Sequence, residues 1–281
     1  MTISSAPVPT TVEQAEVAPP GRRRLVWPSL ILLLGAVYFL LPLVATFYWS
    51  LRAEKDKLGF EAYRRLFLDP GFARSFTESV VNAVAAIVLS LLIIVPTAYW
   101  VTLRLPRLRP VVEFITLLPF VIPGVVLVFG LIRLYGRPPL LLTRTYDSSR
   151  VVLICAYAAL SFPYMYRSVD NGLRAMDVRT LTEAAQSLGA GWLTILRRVI
   201  FPNLRVALLS GSLLTFAIVI GELTVALFLA QQTFGPFMAD LTRSKVYEPA
   251  AMAIVAFALT WAAMGFIAFL TRPRRTGKKR E

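Results

Sequence analysis

Long, nearly uninterrupted apolar runs constrain this chain more than anything else in it. They cover about residues 25–49, 76–103, 111–134, 151–169, 204–230 and 249–270. A run of about 20 apolar residues, wound as a helix, matches the hydrocarbon thickness of a bilayer. The reading is therefore an all-α integral membrane protein with six transmembrane helices. At 57% hydrophobic residues, the chain holds more apolar surface than a soluble core of 281 residues needs.

The flanks of these runs set an orientation. Residues 1–21 are rich in Pro, Thr, Ala and Glu and almost free of large apolar side chains, which predicts a disordered tail. Arg22, Arg23 and Arg24 come after it and precede the first run. That run is too long for a signal-peptide core and no small-residue cleavage site comes after it, so it reads as an uncleaved span. The two termini and the short turn holding Arg104, Arg107 and Arg109 are almost purely basic, whereas the stretches expected outside mix acids with bases. Positive charge concentrates on the cytoplasmic side of membrane proteins, so both ends are expected inside. The domain reading is a cytoplasmic tail over 1–24, a transmembrane domain over 25–271 and a basic cytoplasmic tail over 272–281. A surface helix is expected around Glu61 to Leu68. The net charge of +14 is thus charge flanking membrane lipid. No basic stripe interleaved with aromatics speaks for nucleic acid.

Other residue types exclude chemistry. The chain has no His and a single Cys, Cys155, inside an apolar run. Histidine-based triads, the HExxH zinc site, a cysteine metal cluster and an intrachain disulfide are all excluded. No GxxxxGK[ST] phosphate loop is present, so ATP-driven work would need ATP bound on another chain.

One polar stretch interrupts the apolar text at 177–202, DVRTLTEAAQSLGAGWLTILRRVIFP. Thr180 and Glu183 stand at capping-box spacing, with Asp177 a rival N-cap. Ala184, Ala185, Gln186 and Leu188 favour helix. Gly189 and Gly191 permit a left-handed turn, Trp192 to Val199 can form a second short helix, and Pro202 stops or kinks the chain beyond it. The two adjacent alanines leave a smooth surface that another protein can approach closely. An ordinary interfacial helix with Arg197 and Arg198 near headgroups is the bland alternative.

The full spacing decides between them. Glu183-Ala184-Ala185, three residues, Gly189, nine residues and Val199-Ile200-Phe201-Pro202 resemble the EAA loop of ABC-importer permeases. Val199 and Phe201 stand where Ile and Leu are usual in that family, apolar for apolar. The text around Pro119 to Val125 and around Gly221 to Thr224 is also similar, so the resemblance covers about residues 76–270. It implies an ABC-importer permease fold with a cytoplasmic coupling helix, in the bacterial inner membrane. The implied partners are two ABC ATPase subunits that bind the ATP and Mg, a second permease (a similar chain or this one), and an extracytoplasmic substrate-binding protein. No cofactor is expected in this chain, and no enzyme activity. Glu183, Ala184, Ala185 and Gly189 become the expected ATPase contacts. Within the family the text looks most like the polyamine branch, for spermidine or putrescine.

Polar residues inside the runs are candidates for a substrate pathway. Glu222 is read as the one acid deep in a span, either a counter-charge for a cation or a structural partner. Asn82 can bond a neighbouring helix or line the pathway, and so can Tyr157 and Ser161, which share a face of the fourth span. Pro163 is expected to break that span, and Pro119, Pro123 and Gly124 to kink the third. A secondary transporter or channel without an ATPase is the alternative function. It would often show inverted repeats or several intramembrane charges, and neither is visible.

Overall fold

The computed structural model describes residues 26–54 and 57–270, so the expected tails lie outside the described residues. Every named element is helical: α1 Val26–Ser50, α2 Glu61–Leu68, α3 Pro70–Leu103, α4 Arg109–Val121, α5 Gly124–Tyr135, α6 Tyr146–Arg174, α7 Val178–Ser187, α8 Trp192–Ile195, α9 Phe201–Gly221, α10 Thr224–Phe228, α11 Phe234–Ser244 and α12 Glu248–Leu270. The chain divides at Ala45 into two units. In the first, α1 is apolar along its length. The second, from Thr46, is a helical assembly built around α6.

Among the described residues four helices are long and apolar enough to cross a bilayer: Trp27–Ser50, Pro70–Leu103, Tyr146–Arg174 and Trp192–Gly221. The remaining spans depart from expectation in instructive ways. The third run is two helices, not one kinked helix: α4 and α5 meet at a bend of 101°. Pro123 lacks an amide hydrogen and its ring disfavours helical backbone at Ile122. Both residues are accordingly extended, with ψ of 116° and 138°. The fifth run also stops early, at Gly221, because Glu222 turns extended with ψ of 125°. The expected continuation to residue 230 is instead the short α10 and a loop. Pro163, by contrast, does not break the fourth span, since α6 runs through it as one helix and buries it. The second span starts earlier than its apolar run because Asp69 caps it, accepting from the Gly71 amide at 2.8 Å with Pro70 in the first turn. The surface helix α2 falls where the sequence places it.

Helix α6 is the centre of the second unit. Leu153, Tyr157, Met165, Val169 and Leu173 along it are fully buried. It packs on α3 and α9, and small residues permit the close approach, as is common between helices in lipid. A Cβ built on Gly172 would lie 2.6 Å from the Ala207 Cβ of α9, and one on Gly211 of α9 would lie 2.6 Å from the Met165 sulfur. The Ser168 hydroxyl donates across the same seam to the Ala207 carbonyl at 2.7 Å. Between α3 and α6, the Ser90 and Ser161 hydroxyls pair at 3.0 Å.

Two ends of this bundle are distinct. At one, α7 and α8 pack where α3 ends and α9 begins. At the other lie α2, α10 and α11, with the Ser79 hydroxyl accepting from the Phe234 amide at 2.8 Å and Ser149 donating to the Leu229 carbonyl at 3.2 Å.

A side chain at position 172 has no room. Gly172→Leu is expected to cost about 1–3 kcal/mol through overpacking and to lower the Tm of the purified chain in detergent. An unchanged Tm would show that α6 and α9 do not touch there.

Candidate functional site

The segment from Asp177 to Pro202 is built as a helix, a turn and a second helix that continues into the bundle. Asp177 is the N-cap of α7: its carboxylate accepts from the Thr180 amide at 3.1 Å and from the Thr180 hydroxyl at 2.6 Å. The alternative box does not form. Thr180 serves Asp177, and Glu183 pairs with Arg179 at 3.0 Å, four residues back. Both side chains of that pair are well exposed, 82% and 63%, so it contributes little to stability. The bonds from Thr180 hold the Asp177 carboxyl below its usual pKa.

The helix has one inward face. Val178 and Thr182, four apart, are buried and Ala185 is half-buried, while Glu183, Ala184 and Leu188 are exposed. Val178 joins Tyr99, Leu173, Ile195 and Ile200 in one apolar cluster, and the Tyr99 hydroxyl meets Thr182 Oγ1 at 3.2 Å. The docking residues expected from sequence therefore divide: Ala185 faces the bundle, and Glu183, Ala184 and Gly189 face outward.

The turn is a Schellman closure. The Gly189 amide bonds the Gln186 carbonyl at 2.8 Å and the Ala190 amide bonds the Ala185 carbonyl at 3.0 Å. Gly189 has φ of +79°, the left-handed conformation that favours glycine. Gly191 does not share it: at φ −72° and ψ 161° it is the extended N-cap of α8. Pro202 does not stop the chain either. A single π turn over Leu196–Ile200 joins α8 to α9, and the Asn203 side-chain amide donates to the Val199 carbonyl at 2.8 Å. Such a turn places a proline without ending the helix.

Between α7 and the end of α3 lies an open groove of about 690 Å³, lined by Tyr99, Trp100, Arg104, Arg179, Glu183 and Trp192. Beside it Leu188 is 89% exposed, and Trp192 and Leu193 are each about half exposed. Large apolar side chains left open on a polar segment suit a protein contact.

Of the other candidates, Tyr157 lies beside Glu222 and Thr233, while Asn82 and Ser161 bond to neighbouring helices. Glu222 accepts from the Val225 amide at 2.8 Å and the Ala226 amide at 3.2 Å, one bond to each carboxylate oxygen, and so caps α10. Asn82 Oδ1 accepts from Arg150 Nε at 2.8 Å, and the same guanidinium meets Glu78 at 2.9 Å. Ser161 is held by Ser90 of α3. The Tyr157 and Thr233 hydroxyls are buried and meet no partner in hydrogen-bond geometry. Glu222, Asn82 and Ser161 each make a bond that holds helices together, and Asn82 Nδ2 is buried without a partner.

Sequence reasoning missed a charged cluster at the α7 end. Arg109 Nη2 lies 2.6 Å from both oxygens of Asp170, its Nε is 2.9 Å from Glu113, and Arg174 Nε is 3.0 Å from Asp170. Asp170 is hidden in the sequence because it stands one residue past the apolar run that ends at 169. The i, i+4 spacings Arg109/Glu113 and Asp170/Arg174 are the available signal. Among the described residues no group of three His, Cys, Asp or Glu could hold a metal ion.

Comparison with known proteins adds to this geometry. Residues 94–277 match the family described as binding-protein-dependent transport system inner membrane component. A probable molybdenum ABC transporter permease of Haloferax volcanii is 32% identical over 73% of this chain and 74% of its own. The molybdenum transport system permease ModB of Mycobacterium bovis is 30% identical over 79% of this chain and 81% of its own. The spermidine/putrescine transport system permease PotB of Haemophilus influenzae is 27% identical over 59% and 61%. The fold is that of a chain in the bacterial alginate ABC transporter solved in complex with alginate pentasaccharide-bound periplasmic protein, with TM-score 0.67 at 14% identity over 89% of this chain and 95% of that one.

Two outcomes are expected of α7 and its turn. A Cβ at Gly189 would meet nothing within 4 Å. Gly189→Trp should meet no steric clash but strain the turn at φ +79°, and is expected to insert yet lose co-purification of a partner ATPase, while Gly189→Asn, which tolerates the left-handed turn, retains it. Gly189→Ala, strained but small, should keep the ATPase and so separates bulk from strain. Equal retention by all three variants would remove this surface from docking. Because the folded pKa of Asp177 is lowered, the cap stabilises α7 above the ordinary carboxylate pKa and is lost as pH falls through the folded value. Hydrogen exchange at Thr180 should accelerate over that acidic window beyond the intrinsic pH effect, and Asp177→Asn should flatten the difference.

Proposed function

This chain belongs to the inner membrane components of binding-protein-dependent transport systems, and from that premise we propose that its cargo is a tetrahedral oxoanion of the molybdate and tungstate kind. It is a permease of an ABC importer, a transport component and not an enzyme, with the ATPase on a separate subunit.

The observation that carries the cargo reading is the agreement of relatives that align over most of their own length: they are named for molybdenum. The polyamine branch expected from sequence is not favoured. The permease named for spermidine and putrescine aligns over less of this chain and at lower identity. The side-chain argument for a cation also weakens. Glu222, the expected counter-charge, has both of its oxygens engaged by the backbone amides of α10. The cap gives Glu222 a structural reason to stand there that needs no cation.

In this reading the segment 177–202 seats on an ATPase, with Glu183, Ala184 and Gly189 outward. Two ATPase subunits, a second permease and an extracytoplasmic binding protein complete the importer, with both termini of this chain inside. ATP binding favours one permease state, and the contact at α7 carries that preference into the helices. The cargo is released from the binding protein into the path between permeases.

The test is uptake into proteoliposomes holding the chain with its ATPase, second permease and binding protein. Radiolabelled molybdate should accumulate with ATP, and excess tungstate should suppress it while putrescine should not. ATP-driven uptake of putrescine without molybdate uptake would restore the polyamine reading.

A further inference from the structure

Helix α4 is attached to the bundle differently from its neighbours. Of its residues Arg109–Val121 only Thr116 is buried. By contrast α6 is clamped to α9 by the glycine seam at Gly172 and Gly211 and by Ser168. At the α7 end, what joins α4 to α6 is charge. Arg109 holds Asp170 through both carboxylate oxygens, and Glu113 and Arg174 close the network, their nearest atoms 3.9 Å apart. The Asp170 carboxylate is largely buried, its side chain 11% exposed. One nitrogen, Nη2, bridges both oxygens in a short charge-assisted contact, which ties α4 to α6 at a fixed distance. At its far end α4 stops at the 101° bend, where Ile122 and Pro123 leave the helical backbone.

The chain beyond Asp170 leads straight to the docking segment. Arg174 ends α6, and Asp177 caps α7 three residues later. Any displacement of α7 must act on the last turn of α6, and that turn carries the carboxylate that α4 grips.

We propose that Arg109 and Asp170 are positioning residues that make α4 follow the docking segment, so that motion at α7 reaches the bend between α4 and α5. This rests on the reading of 177–202 as the ATPase-docking loop. Packing passes motion from α6 to α9 without help. Near the bend α4 also meets α6 through the Phe120 and Tyr164 rings, 5.2 Å apart, and Val112 rests on the buried cluster, so the ion network supplies the charged share of the coupling at the α7 end.

The experiment reads the bend directly and does not require the cargo. Val121, exposed at the end of α4, is changed to Cys in a Cys155→Ser chain purified with its ATPase. Maleimide labelling is timed with and without ATP. With the network intact, ATP should change the labelling rate by about fivefold or more, the lower range of site-to-site coupling. In Asp170→Asn, Arg109→Gln and the double variant, the ATP response should fall to the same extent, since residues acting as one unit are not additive. ATPase retention and ATP hydrolysis should stay at parental levels. Glu113→Gln, a milder cut at a half-exposed position, should reduce the response in part and covers the case in which the stronger variants do not fold. An ATP response unchanged in variants that keep their ATPase, or absent from the parent, overturns the proposal. A parent chain that holds no ATPase overturns the docking reading itself, and the proposal with it.

Discussion

A helix in lipid has no water to satisfy its backbone, so each interruption must be closed by groups the protein supplies. That requirement organises this chain. The helices α3, α6 and α9 stay continuous where they form the buried centre, and Gly172 and Gly211 let α6 and α9 come close enough for the Ser168 hydroxyl to reach across. Several of the breaks carry their own closure. Glu222 caps α10 with both oxygens, Asp177 caps α7, and the Asn203 amide serves the carbonyl beside the π turn.

Polar residues within the apolar runs are, by the same requirement, first of all structural. The Ser90–Ser161 pair joins α3 to α6, and Asn82 joins α3 to α6 through Arg150. The cluster of Arg109, Glu113, Asp170 and Arg174 gives α4 the attachment that its scant burial does not. The same physics that makes a lone charge expensive in lipid makes a satisfied network specific: removing Asp170 takes from Arg109 and Arg174 a partner they share.

Much of this architecture is legible in the residues alone. Apolar runs locate the long helices, and the charged, mixed stretch after the first run holds α2. The spacing from Glu183 to Pro202 marks a helix, a turn and a helix, and Gly189 is one of two glycines allowed at the turn. What is not legible depends on competition between local rules. Pro123 breaks its helix while Pro163 and Pro119 do not, although all three are prolines inside apolar text: α6 and α4 each continue through theirs. Thr180 and Asp177 both fit as caps, and in the fold Thr180 gives both its amide and its hydroxyl to Asp177. The ion cluster joins residues 61 positions apart, and no local pattern in one stretch of text encodes that pairing.

The Schellman closure at Gly189 has one more consequence. The segment from α7 to α8 is ordered by its own bonds: the Asp177 cap, two turn hydrogen bonds and the apolar face around Val178 and Ile195. Fixing a free backbone removes about 1–2 kcal/mol of entropy per residue. Here folding has already removed it, so a protein that binds this surface meets a preorganised shape and its contact energy goes into affinity rather than into ordering a loop. A small rigid surface can then bind and release a partner repeatedly without melting between encounters.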